Sequence, residues 1–473
     1  MSDGILSLVP LLSPKVNKDT PTESTPKQDK GHSASKLIKS QTMVLSTHTT
    51  VEVPTSGPCT RCSNSQALMN LLKGTAGTGI LSLPTAFKNV GLWAGLALFL
   101  IVGMLTVHCM LMLNSCCHLL EKRSSKSILT YVDAVELNFQ YGPKSLQKSA
   151  AIMKTITSVS ISIMQCSFCC VYIVWVAVNV KEILDNYWSI SQSLRVYEIA
   201  VFLILLPYIM VKSLNTLAFF STVANLAYLI GLIIIFQSLF QGLPDSSDRP
   251  AFSSWSTLPL FFGTSMFAFE SICLTISVRS KLVNINDYGG WNGLLSLAMT
   301  IIIALYSCMG FYGYLKFGED TATTITLNLP QNNWLYTSVT ILFVVAMILS
   351  VGVQFYVPIS IIWPAVKKQM TSDQIEKFGR VAQCFTRALL LTLIFAVSVL
   401  VPHLDSLMVF IGSFFGSVLS LILPALMELM TLSVEGQLTV PTAIKDAAII
   451  IFGMLILIFG TVESLKNIIT TFL

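Results

Sequence analysis

From Ala67 onward, apolar runs about 20 residues long recur to the end of the chain, the length needed to cross a hydrocarbon layer as a helix. Eleven can be marked: 67–89, 91–113, 151–180, 196–211, 215–238, 257–277, 291–313, 335–364, 384–402, 405–428 and 446–465. The fourth is short, and only Lys212, Ser213 and Leu214 separate it from the fifth. A water-soluble fold of 473 residues has nowhere to bury so much apolar sequence. Only 11% of residues are charged, 29 basic and 24 acidic, where a soluble chain this long would carry about 118. The missing charge is explained if lipid replaces water around most of the chain. The expected class is therefore an all-α polytopic membrane protein with eleven transmembrane helices.

Residues 1–66 are of another kind. They hold 20 Ser or Thr, six Pro and no Phe, Tyr or Trp. Such a segment buries too little apolar surface to offset its chain entropy. The division expected is a disordered cytoplasmic tail over 1–66 and a transmembrane domain over 67–473. Cys59 and Cys62 in the tail lack the second ligand pair that a metal site needs.

Orientation follows from basic residues, which are retained on the cytoplasmic side. With the N-terminus inside and the spans alternating, 22 Lys and Arg fall inside and five outside, leaving Lys73 and Lys88 in the first run. No outside loop holds a cysteine and no Asn-x-Ser/Thr sequon occurs, so neither external disulfides nor N-glycosylation are expected. Between runs two and three, Ile128, Val132, Val135 and Phe139 share one helical face. This predicts a short interfacial helix on the cytoplasmic leaflet.

The first run contains Lys73-Gly-Thr-Ala-Gly-Thr-Gly79 and then Pro84. Three glycines and a proline at bilayer depth predict a broken helix. Broken backbone is tolerated in lipid only where it lines a cavity, and a new helix N-terminus attracts an anion. Close helix packing through small residues is the alternative. The sixth run repeats a mid-span Gly-Thr pair, Gly263-Thr264, followed by Glu270. Interruptions five spans apart predict an inverted repeat of spans 1–5 and 6–10 with one extra helix, helices 1 and 6 being broken, and a site near the midplane.

Charging Glu270 at that depth costs about 3 kcal/mol unless it is paired or hydrated. It is a candidate proton carrier or a structural tie for the broken helix. His108, in the second run, is a candidate proton site or an interhelical hydrogen bond. Lys73 either caps the first break or snorkels to the cytoplasmic side. Phe267 and Phe269 are candidates for an apolar wall limiting substrate size. Cys166, Cys169 and Cys170 read as packing residues. There is no phosphate-binding lysine loop, nucleophile elbow or His-Glu-x-x-His, so neither a nucleotide-driven pump nor an enzyme is expected. There is no basic patch for nucleic acid either.

Four segments resemble the amino acid/auxin permease family, in its proton-coupled amino acid transporter branch. They are Met69–Gly91, Thr106-Val-His-Cys-Met110, Phe262-Gly-Thr-Ser-Met-Phe-Ala-Phe-Glu270 and Gln354-Phe-Tyr-Val-Pro358. The resemblance runs from residue 67 to about 470. It implies a leucine-transporter-type fold and symport of small neutral amino acids (the glycine, alanine, proline class) with protons. The proton serves as coupling ion, and no cofactor or metal is expected. It implies that Thr75, Gly77, Thr78 and Gly79 surround the substrate carboxylate, that Phe267 and the backbone near Thr264 face the amino group and side chain, and that His108 takes part in proton coupling. Ser350 keeps a sodium-coupled alternative open. The Ser/Thr-rich tail keeps open a sensor that signals through a cytoplasmic partner. Plasma membrane and endolysosomal membrane both fit.

Overall fold

The computed structural model describes residues 62–470, except 76, 189–191, 212–213, 331–332 and 402. The tail reading up to residue 61, including Cys59, lies outside the described residues. Among the described residues the chain is helical, and the only strand-like pairing is an isolated bridge between Cys62 and Leu282.

The first run is divided into α1 (Asn64–Thr75), a 3-10 turn over Thr78–Ser82, and α2 (Leu83–Val90). Then come α3 (Leu92–Ser124), α4 (Tyr131–Gln140), α5 (Ala150–Trp188), α6 (Leu194–Tyr208) and α7 (Leu214–Leu239). The sixth run is divided into α8 (Leu258–Ala268) and α9 (Ile272–Arg279). Beyond it lie α10 (Leu294–Phe317), α11 (Trp334–Lys368) and α12 (Ser372–Leu400). α13 (Leu404–Ile411) and α14 (Leu423–Glu435) are joined by a π-helical stretch over Gly412–Ile422. α15 (Val440–Leu455) and α16 (Thr461–Thr470) are joined by another over Ile456–Gly460.

Nine helical stretches among the described residues are long and apolar enough to cross a bilayer. The first run does not count among them because it is broken into short pieces, and the fourth because α6 has 15 residues. The outward faces identify the solvent. α12 exposes Phe378, Val381, Phe385, Leu389, Leu393, Val397 and Leu400, spaced by three or four, as one apolar stripe. A helix that turns such a stripe outward is made for lipid rather than water.

Between α3 and α5 the predicted helix forms as α4. A capping box starts it, with Thr130 and Asp133 satisfying each other's backbone amides. Its apolar face does not rest on the leaflet, because Ile128, Val132, Val135 and Phe139 are all buried by protein. Asn138 donates to Met427 O and Thr431 Oγ1, and Tyr131 Oη donates to Leu419 O, tying α4 to the tenth apolar run.

At the α6–α7 corner, Arg387 of α12 donates to the Ile209 and Val211 carbonyls, just past the end of α6. Arg387→Met is expected to destabilise the fold by about 2–3 kcal/mol, the usual worth of a buried hydrogen bond to a charged group plus the orphaned carbonyls. A lowered thermal midpoint of the purified protein checks this. An unchanged midpoint would mean that other groups satisfy those carbonyls.

Candidate functional site

The two breaks abut. A Cβ on Gly79 would sit 2.6 Å from Ala268 Cα, so the backbone of the first break touches the end of α8. A Cβ on Gly74 would sit 2.1 Å from Leu274 Cδ2, so α1 is packed as closely on α9. The break in the first run freed backbone groups that needed partners. Tyr306 Oη of α10 donates to Thr75 O at 2.8 Å, and Tyr228 Oη of α7 donates to Gly77 O. The chain then enters the 3-10 turn with Gly77 extended, at φ −126° and ψ −166°. The first N–H groups of that turn have no intrahelical acceptors.

Beside the breaks is a cavity of about 310 Å³. The first break contributes Thr75, Gly77, Thr78 and Gly79, and the second Phe267, Ala268, Glu270 and Ser271. α5 and α11 add Phe168, Tyr172 and Gln354. Phe168 and Phe267 meet at 5.2 Å between ring centroids and close one wall. Lys73 and Glu270 are the only charged side chains among the lining residues. The cavity extends from the breaks along α1 and α9, through Asn70, Lys73, Cys273 and Leu274, and no residue of α2 lines it.

Most sequence-predicted residues meet here, and two do not. Thr75, Gly77, Thr78, Gly79, Phe267 and Glu270 all line the cavity, as does Ser350. Thr264 does not. It lies inside α8, where its hydroxyl donates to Leu260 O at 3.0 Å. The second break falls at Phe269–Ser271 instead of Gly263-Thr264. Gly263 is small for another reason, since a Cβ there would meet Ser413 Oγ at 2.5 Å and Val409 O at 2.9 Å. His108 is also off the cavity. It lies within electrostatic range of Lys445 and Glu428, and its Nε2 is buried without a hydrogen-bond partner. Glu270 stands in the break itself. Its Oε2 accepts from Ser420 Oγ at 2.9 Å, and its Oε1 has no partner.

Two broken helices that abut and line a single cavity are an arrangement that membrane carriers use. The family profile described as "Transmembrane amino acid transporter protein" matches residues 60–466. The chain belongs to this amino acid transporter family. As a member it is an integral, multi-pass membrane protein and a transporter rather than an enzyme. The transporter is 32% identical over 414 residues to "Proton-coupled amino acid transporter-like protein pathetic" of Drosophila melanogaster, covering 87% of this chain and 86% of the relative. It is 28% identical over 431 residues to "Amino acid transporter ANT1" of Arabidopsis thaliana, covering 86% and 93%.

Sequence reasoning missed Tyr172, Tyr228 and Tyr306. A tyrosine at mid-span is itself a signal, because its hydroxyl needs a partner that lipid cannot supply. Ser420 gave no such signal, being one of many small hydroxyls in the tenth run.

Proposed function

We propose that the chain is a secondary active transporter that carries a small neutral amino acid together with a proton by alternating access. The observation that carries this reading is the shared cavity at the two breaks, with one amine and one carboxyl on its wall. A zwitterion's carboxylate fits against the N–H groups at Gly77, Thr78 and Gly79. Its ammonium group and side chain face Phe267, Glu270 and the carbonyls released by the second break. Phe168, Phe267 and Tyr172 crowd the side-chain end, which favours small substrates. Glu270 is the coupling group: it lines the cavity, and one of its oxygens lacks a donor.

In this reading α1 with α2, and the short α6, complete eleven crossings in two inverted halves plus one helix. The sorting of Lys and Arg puts the start of α1 and the end of α9 on the cytoplasmic side. The cavity then opens inward, with Tyr228 and Tyr306 helping to seal its far side.

The test is uptake of radiolabelled glycine, alanine and proline by vesicles under an imposed pH gradient. Uptake that rises with the gradient, and is abolished when the gradient is collapsed, is expected. Uptake that ignores the gradient and follows sodium would overturn proton coupling and shift attention to Ser350.

A further inference from the structure

A second cluster of charge lies away from the cavity, where α14 ends and α15 begins. Lys445 Nζ is 2.6 Å from Glu428 Oε2 and 3.1 Å from Asp446 Oδ1. Two carboxyl groups therefore share one ammonium. Asp446 is fully buried, yet neither of its oxygens is in hydrogen-bond geometry with any donor.

Among the described residues, no second lysine or arginine acts on the cluster. α3 turns His108 and the buried Cys109 and Cys116 toward this region. α14 adds the neutral Thr431, which already accepts from Asn138 of α4. If both carboxyls are ionised, the cluster keeps one uncompensated negative charge beside the fully buried Asp446, although Lys445 and Glu428 are partly exposed. That is a costly state for a carboxylate, and adjacent carboxyls commonly resolve it by sharing a proton. A proton also gives Asp446 a donor besides Lys445. A metal ion fits less well, since no group of three or more metal-type ligands occurs among the described residues.

We propose that Glu428, Lys445 and Asp446 form a proton-binding site separate from Glu270, holding one exchangeable proton between the two carboxyls. This does not rest on the transport reading, because the site can be titrated directly.

The experiment is infrared difference spectroscopy of the full chain in lipid nanodiscs, following the protonated-carboxyl band as pH is stepped. Glu270→Gln provides the background. Adding Asp446→Asn is expected to remove one further carboxyl's worth of titrating band, and adding Glu428→Gln instead should remove the same amount, since the pair shares one proton. Substitutions at two separate positions guard against one variant failing to fold. An unchanged band in both double variants would overturn the proposal. So would a band that responds to sodium or potassium at fixed pH, because the site would then hold a metal cation.

Discussion

Gly77→Val is expected to cut amino acid uptake by about tenfold or more, a loss of roughly 1.4 kcal/mol or greater in substrate binding, while the protein reaches the membrane in normal yield. The separation of these two effects follows from the geometry at this glycine. Its backbone is extended, a conformation that valine adopts readily. A Cβ there would meet nothing closer than Tyr172 Oη at 4.0 Å. The new side chain therefore enters the cavity instead of the packing, and it crowds the N–H groups proposed to hold the substrate carboxylate. Gly79 is the control. It faces the same cavity, but its Cβ would collide with the Ala268 backbone. Gly79→Ala is thus expected to lower folded yield as well as uptake. Uptake per unit of purified, monodisperse protein separates the two variants. Near-normal uptake by Gly77→Val would remove the substrate from the first break.

The contrast between these glycines marks where the sequence stops being informative. The first break was legible because Gly77, Gly79 and Pro84 all weaken a helix locally. The second was legible as a region and misplaced in detail. Gly263 looked like a breaker, but it lets the α13 backbone approach α8, and the helix runs straight through it. The true break, Phe269–Ser271, contains neither glycine nor proline. Tertiary contacts accompany it there: Ser420 on Glu270, Ala268 against Gly79, and, at the far end of α9, the buried Arg279 donating to Asn114 and to both oxygens of Glu121. None of these partners is near in sequence. α4 shows the same limit, since its periodicity revealed the apolar face but not what covers it. His108 was conspicuous as a lone imidazole in an apolar run, and its distance from the cavity depends on how α3 packs on α14.

Packing also separates two of the acid sites in the charge-poor interior, where Glu198 of α6 is a further buried carboxyl. The cavity carboxyl of Glu270 is next to substrate-sized space. The Glu428 and Asp446 carboxyls lie on α14 and α15, away from that cavity. A carrier needs one group whose protonation is felt by the substrate, and of these carboxyls Glu270 alone lines the cavity.

Glu270→Gln is accordingly expected to abolish gradient-driven accumulation while leaving exchange of substrate across the membrane. The amide is nearly the same size and shape, and its carbonyl can still accept from Ser420, so the break keeps its tie to the π-helical stretch between α13 and α14. What it loses is the exchangeable proton. For one proton moved per amino acid, each unit of pH difference supplies about 1.4 kcal/mol, enough for roughly tenfold accumulation. The sign is set by the direction of loading: acid on the side of entry protonates Glu270 and favours the loaded carrier, so wild-type accumulation should rise as that side is acidified. In the glutamine variant the accumulation ratio should fall to about one at every pH gradient, with counterflow of preloaded substrate persisting, because binding and reorientation do not require the proton once the wall is permanently neutral at this position. Paired uptake and counterflow assays on the same proteoliposomes make the comparison. If the variant still accumulates substrate in proportion to the gradient, the coupling proton resides elsewhere, and the Glu428–Lys445–Asp446 cluster beside His108 becomes the next position to substitute.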